Sequence, residues 1–426
     1  MTMKKILLFM TSVVLMTTGC ADLLNLNPSS AVSPDAVTVN DIAALRNGMY
    51  WKVQEEPGER AYFMFDLFGG ELTTKQSKNS LDLINSLSSA SNEYVEEQWA
   101  GYYKALMQVN NVYAIAQGLP EGADKNMILG ECHYFRGYIH LNLVTRWGDV
   151  PLMKENSDEL VSRTPQAEVW KFIEDELDLA ISLLGSSSSY YYLSSDAAIA
   201  LRARVALYRG DKVTAANHAE TLISNARYGF DAYEKIFRGQ LNSEIIYAFP
   251  CLTADGSGIT ISTLFYSYNH PNAGSYVYVP AQEVMDMYAE NDTRKEISVM
   301  TLDNLNSINK YPSGQTGTDP VIISRISELY LISAEAQGVE KGLSRLNDLR
   351  TARGLEPVYP RTEAEFIDAI LKERRLELLC EGHRWYDLVR HGKAVETLGI
   401  LPYQTLFPVP TSERQANRNL TQNDGY

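Results

Sequence analysis

The sequence predicts a chain built mainly from paired α-helices, and three observations carry that prediction. Apolar residues recur at spacings of three and four over most of the length. Clusters of Gly, Pro and Ser separate these stretches at short intervals. One stretch reads as a complete tetratricopeptide-like unit. Together they describe one large, all-α dominated domain.

The first helix is expected over 41–53, where Ile42, Leu45, Met49 and Val53 share a stripe. Residues 94–119 align Trp99, Tyr102, Leu106, Val109 and Val112, and Pro120 with Gly122 break the pattern. A third helix follows over 127–146, ahead of the turn Trp147-Gly148-Asp149-Val150-Pro151. The next pair covers 168–184 and 196–208, joined by "GSSSSYYYLSS", and a further helix covers 212–224. Residues 198–223, "AIALRARVALYRGDKVTAANHAETLI", form the tetratricopeptide-like unit: small Ala residues at the helix crossing, Tyr208, a Gly210-Asp211 turn, then Ala216, Ala219 and Leu222. Such units do not bury their apolar face alone, so they stack on neighbours.

Between 240 and 320 the helical pattern fades into Gly, Ser, Asn, Pro and Tyr, with one short helix expected over 281–288. An irregular stretch of this length is usually functional or mobile. Helices resume over 324–336, 342–353 and 363–380, the last opened by a capping box of Thr362 and Glu365 and stopped by Gly382.

The N-terminus sets the expected compartment. Lys4 and Lys5 precede an apolar run over 6–16, and Thr17, Thr18 and Gly19 lead into Cys20. This is the pattern of a signal peptide over 1–19 ending in a lipobox, with Cys20 as the lipidated residue, although Thr17 stands where Leu is usual; ordinary secretion is the alternative. The run is too short to cross a hydrocarbon core of roughly 30 Å as a helix, so a lipid anchor in the membrane is expected.

The remaining cysteines, Cys132, Cys251 and Cys380, are odd in number and lack CxxC spacing, which argues against a disulfide framework and a zinc site and for three buried thiols. The formal charge of −15 falls to −17 once a leader bearing Lys4, Lys5 and no acidic residue is removed. That balance disfavours any partner held by phosphates, so nucleic acid is excluded. Tyrosine is unusually abundant, 26 copies against 12 Phe and 5 Trp, a bias toward rings that carry a polar handle.

Catalytic chemistry finds little support. His383 and Asp387 lie four apart beside Glu381 and Arg384, a spacing open to an acid/base pair or a metal. The preferred reading is structural, with Gly382 as a helix stop and Arg384, Trp385 and Asp387 locking the C-terminal helices to the scaffold. Glu373, Glu377 and Glu381, interleaved with Arg374 and Arg375, read as a solvated or ion-paired helix face. There is no HExxH, GxSxG, phosphate loop or Cys/His metal spacing, so no catalytic residue, metal or cofactor is expected. Asp286, Asn291, Asp292 and Asp303 lack EF-hand spacing.

Binding chemistry finds more. A sugar offers CH-rich faces for stacking and hydroxyls around its edge, and Tyr266, Tyr268, His270, Tyr276 and Tyr278 supply rings and polar tips within one loop. The competing reading makes Tyr276, Tyr278 and Val279 a short strand with inward rings. A second candidate lies over 60–80, where Asp66 is preferred over Glu71 and Lys75 as a ligand contact, and Phe63, Phe65 and Phe68 read as core. Trp99, at a helix start, either packs or stacks.

Four ordered C-terminal blocks, "RISELYLISAEA", "LNDLRTARGL", "ERRLELLCEGHRWYDLVRHGK" and "LFPVPTSERQANRNLTQNDGY", resemble the SusD-like (RagB/SusD) family of Bacteroidetes-type outer-membrane nutrient-binding lipoproteins. "HYFRGYIHLNLVTRWGDVPL" and "DIAALRNGMY" upstream are similar to family segments too. The resemblance implies a right-handed superhelix of tetratricopeptide-like helix pairs, with loop-rich insertions forming the binding face. It also implies display on the outer membrane, a glycan or oligosaccharide ligand, and a SusC-like TonB-dependent transporter as partner. The chain is short for the family, which implies trimmed loops between about 240 and 320. One domain over 20–426 is expected, with the scaffold at about 40–235 and 320–400 and the ligand face at about 240–320. The competing functions are a surface adhesion or peptide-binding module using the concave groove, and a glycoside hydrolase, which requires two carboxylates about 5 to 9.5 Å apart. No such pair is nominated.

Overall fold

The computed structural model describes residues 41–74, 78–85, 89–252 and 256–426. The expected leader, the lipidation site Cys20 and Lys75 lie outside the described residues.

Helices dominate in the expected order: α1 (Ile42–Glu55), α2 (Glu93–Gln117), α3 (Ala123–Trp147), α4 (Gln166–Leu183), α5 (Ser195–Arg209) and α6 (Lys212–Ile223). Their starts follow local chemistry. The side chains of Asn92, Ser194 and Asp211 accept from Tyr94 N (3.1 Å), Ala197 N (3.2 Å) and Thr214 N (3.0 Å), meeting donors that have no partner inside the helix. Gly210, left-handed at φ 78°, ends α5 and turns the chain into α6. Buried Ala197, Ala198, Ala200, Ala203 and Ala206 let the neighbouring helices approach α5 closely, as expected for a tetratricopeptide-like pair.

Consecutive helices pack on one another from α2 to α6, and the long α7 (Ile326–Ala352) lies along α6 and carries α8 (Glu363–Glu377). Two helices were expected where α7 runs. They are continuous except at Gly338 (φ 70°, ψ 179°). The chain doubles so tightly there that a Cβ on Gly342 would stand 2.0 Å from the Ala334 carbonyl oxygen. Thr362 caps α8 as expected, accepting from Glu365 N at 3.2 Å, while Glu365 reaches back to Arg361 N. The helix stops at Glu377, earlier than expected, and Gly382 (φ 75°) turns the chain into α9 (Arg384–Arg390). Residues Ala44–Tyr426 form one compact unit. Among the described residues no helix is long and apolar enough to cross a membrane.

The stretch read as irregular contains short antiparallel strand pairs. β1 (Leu72–Thr73) pairs with β3 (Val279–Pro280), β2 (Ile245–Phe249) with β6 (Val321–Arg325), and β4 (Val299–Leu302) with β5 (Leu305–Ile308). Asp303 and Asn304, at φ 51° and 61°, turn the β4–β5 hairpin in the way that matches strand twist. The helix expected from 324 begins at Ile326 because Ser324 and Arg325 complete β6.

A charged core joins β2, β6 and α8. Glu377 accepts from Arg353 (2.8 Å), Arg294 (2.9 Å) and Arg325. Arg353 also holds Glu244 (2.7 Å), Arg294 holds Asp292 (2.8 Å) and Glu373 (2.7 Å), and Glu381 takes Arg325 (2.8 Å) and Lys310 (2.7 Å). All are buried. The acidic row of α8 is therefore ion-paired inside the protein and not a solvated face, because its arginines come from distant segments.

Candidate ligand face

The loop-rich segment is fixed to the N-terminal part of the scaffold by two carboxylates that grip the main chain. Glu55 accepts from Ser257 Oγ (2.7 Å) and Gly258 N (2.8 Å), and Glu59 from Thr260 N and Oγ1 (both 3.2 Å). A short helical turn, Ile261–Phe265, then buries Leu264 and Phe265. Thr263 O accepts from Ser275 N (2.6 Å), Tyr266 O from Tyr276 N (3.1 Å) and Leu264 O from Tyr278 N (2.9 Å), so residues 266–276 form a loop pinched at its neck. Gly274 sits in that neck, where a Cβ would lie 2.5 Å from the carbonyl oxygens of Thr263 and Tyr266. A side chain there would force the loop open.

The five loop residues divide by depth. Tyr278 is fully buried: its ring packs on Phe63 (5.3 Å between centroids) and Phe265 (6.4 Å), while its hydroxyl accepts from Arg60 Nε (2.9 Å) and lies 2.7 Å from Ser80 Oγ. It realises the inward-ring alternative. Tyr266 is buried too, donating its hydroxyl to Asn309 Oδ1 (2.6 Å), and burial raises its pKa. His270 stacks flat on Tyr266, with centroids 3.9 Å apart and planes 3° from parallel, and its Nδ1 accepts from Asn272 N (2.9 Å). Partial burial lowers the His270 pKa, so the ring is neutral at pH 7. Tyr276 is half-buried, left-handed at φ 51°, and donates to Asn306 O (2.9 Å). Tyr268 stands out of the loop, 73% exposed.

Asp66 and Trp99 lie elsewhere, inside the protein. Asp66 accepts from Cys380 N (2.8 Å) and Gly382 N (2.9 Å). Burial, and then the neighbouring Glu71 carboxylate, push its pKa up to about 8 against those two donors. Trp99 meets Trp147 edge-on at 5.1 Å. Complete burial gives both residues framework positions, with no surface left for a ring or carboxylate contact to a sugar.

His383 and Asp387 do not form an acid/base pair. Asp387 accepts from Arg374 (2.6 Å) and Arg390 (2.9 Å), and burial drops the His383 pKa to about 4. The expected lock is present, with Trp385 buried, but Arg384 turns to Glu71 (3.2 Å). The positioning residues Glu55, Glu59, Asn306 and Asn309 gave no sequence signal, since the first two act on segments some two hundred positions away.

The resulting face is an exposed tyrosine on the same loop as a flat imidazole–phenol stack, with the Asn309 amide oxygen accepting from the phenol. Such a surface stacks on apolar ring faces and donates or accepts around their edges.

Family comparisons agree with this architecture. The family described as "Starch-binding associating with outer membrane" matches residues 22–207, and the "SusD family" matches residues 300–404. The SusD-like protein P38 of Formosa agariphila is 24% identical over 89% of this chain and 90% of its own length. A SusD superfamily protein from Bacteroides vulgatus superposes with a TM-score of 0.83 at 20% identity, covering 91% of this chain and 99% of that one. Surface glycan-binding protein A from Bacteroides thetaiotaomicron, solved in complex with laminarihexaose, gives a TM-score of 0.80 at 20% identity over 91% and 100% of the two chains. With two family regions matched in chain order and the same helix-pair fold in those structures, the chain belongs to the SusD-like family.

Proposed function

We propose that this chain is a cell-surface lipoprotein that captures a glycan or oligosaccharide on the face bearing Tyr268 and delivers it to a SusC-like TonB-dependent transporter. SusD-family proteins are non-catalytic binding proteins. The observation that carries the reading is the exposure of the Tyr268 ring on a loop whose neck, floor and neighbouring rings are all held in place. A loop held in this way loses little backbone freedom on binding, so more of a stacking contact made by Tyr268 is retained as affinity. The laminarihexaose complex of surface glycan-binding protein A supports glycan as the ligand class. The leader pattern of Lys4 and Lys5, an apolar run and Cys20 supports retention at the membrane through a lipid anchor.

The test is an affinity-gel and glycan-array comparison of wild type with Tyr268→Ala. One aromatic contact is worth about 0.5 to 1.5 kcal/mol, so the variant should bind its best glycan about 2- to 10-fold more weakly while keeping its thermal stability. Unchanged glycan binding in Tyr268→Ala would remove this face from the proposal. For the partner, the transporter encoded beside this chain should co-purify with it from detergent-solubilised membranes, and separation of the two would overturn the delivery step.

A further inference from the structure

The loop face has an electrostatic character that narrows what it can hold. Residues 239–293, which include the whole Tyr268 loop, carry acidic side chains but no lysine or arginine, in a chain of formal charge −15. Arginines that reach this region from outside are engaged within the protein. Arg60 donates to the Tyr278 hydroxyl beneath the loop and lies over the Tyr94 ring (4.2 Å). Arg238 donates to the carbonyl oxygens of Phe237 (3.1 Å) and Asn309 (3.0 Å), and the charge it places near the Tyr266 hydroxyl is opposed by that of Asp319. A carboxylate or sulfate brought to this loop would lose water without gaining a guanidinium or ammonium partner from it, whereas sugar hydroxyls need only neutral partners.

One neutral donor is fixed in place. His270 lies flat on Tyr266, and its Nδ1 accepts from Asn272 N (2.9 Å). A neutral imidazole carries a single ring N–H, so that proton is on Nε2. Nε2 is open to solvent and has no hydrogen-bond partner among the described residues. Asn272 is itself held: its Nδ2 donates to Pro312 O, and Gly314 packs so closely that a Cβ there would stand 2.6 Å from Asn272 O. The Asn272 N–H therefore sets both the tautomer and the position of the ring.

We propose that the face takes an uncharged glycan and that His270 is a specificity-determining residue, donating from Nε2–H to a sugar oxygen while Tyr268 stacks on the sugar ring. The inference rests on the loop-face reading and names the substrate class of that site. Protonation of His270 puts a second hydrogen on Nδ1, facing the Asn272 N–H, so the stack holds while the ring is neutral and breaks when it gains a proton. On the Tyr266 side of the ring the ionisable groups are the phenol itself, Arg238 and Asp319, and burial, not charge, takes the His270 pKa below its ordinary 6.5. Capture is thus complete at neutral pH and weakens as pH falls through that lowered value.

The experiment has two arms, both on the full-length protein in detergent. In affinity gels, laminarin, amylose, xylan and galactomannan are the uncharged probes, and alginate, polygalacturonate and chondroitin sulfate the anionic ones. At least one uncharged polymer should be retained, and no anionic one. His270→Phe keeps a flat ring and loses the donor, so it should bind the retained polymer about 2- to 10-fold more weakly. Wild-type retention should weaken from about pH 7 to about pH 5, where His270→Phe stays flat. The second arm uses no glycan: nitrogen-15 NMR of the histidine rings, with His270→Phe assigning the signal, should show the Nε2–H tautomer and a titration midpoint below 6.5. Stronger retention of an anionic polymer, wild-type binding by His270→Phe, or an Nδ1–H tautomer would each overturn the inference and leave the loop-face reading standing. Equal retention of glycan by Tyr268→Ala, or retention of no probe at all, would overturn the loop-face reading and this inference with it.

Discussion

Asp66 directs both carboxylate oxygens at backbone donors, Cys380 N and Gly382 N, across a turn in which Cys380 itself is held at φ 57°. Asp66→Ala would leave two buried N–H groups without acceptors, each costing about 1 to 3 kcal/mol. Urea denaturation should show a loss of about 2 to 5 kcal/mol, with Asp66→Asn in between because one oxygen remains. Glu381, in the same turn, is governed by charge. Burial alone would raise its pKa, but Arg325 and Lys310 more than reverse this and hold it at about 2. A carboxylate depressed from an ordinary 4.5 contributes stability that is complete above pH 4.5 and is lost as pH falls toward 2. Melting temperature should drop steeply over that window, and Glu381→Gln, less stable at pH 7, should show a shallower drop. Asp66 acts with the opposite sign: a carboxyl raised to about 8 makes its own contribution decline as pH climbs from about 4 to 8.

At the level of elements, the helices were legible because each buries one stripe, and a stripe at spacings of three and four survives in sequence. The strands were not. β2 and β6 are buried along their whole length, so "IIYAF" and "VIISR" show no alternation, and β6 runs directly into α7. The acidic row of α8 was legible as solvated or ion-paired, and the structure selects ion pairing, but its burial was not legible for a related reason. Glu373 and Glu377 have a surface pattern locally, but Arg294, Arg325 and Arg353 reach them from far along the chain. Glu377→Leu should therefore cost about 3 to 5 kcal/mol by chemical denaturation, since it strands buried guanidinium groups. Close helix contact supplies a second test. A Cβ on Gly101 in α2 would lie 2.1 Å from the Glu56 carbonyl oxygen, backbone that does not yield easily, so Gly101→Ala should destabilise by about 1 to 3 kcal/mol in the same assay.

At the scale of the whole molecule, the family and the helical class could be read from sequence, while the ligand face could be read only as a region. Loop tyrosines look alike in sequence, and only depth separates Tyr268 at the surface from Tyr266 and Tyr278 beneath it. Cys132, Cys251 and Cys380 are free and buried, so a thiol reagent should modify them only after denaturation, and reductant should leave the melting temperature unchanged. The clamp formed by Glu55 and Glu59 has a further consequence. Two of the four groups it grips are main-chain N–H, which nearly any sequence supplies, the other two are the hydroxyls of Ser257 and Thr260, and all lie before the loop that carries Tyr268. The residues that would meet a ligand are thus uncoupled from the residues that attach the segment to the helices. A lineage can rewrite the one without disturbing the other, so new specificities are reachable by substitution or insertion in the loop alone, at little cost to folding.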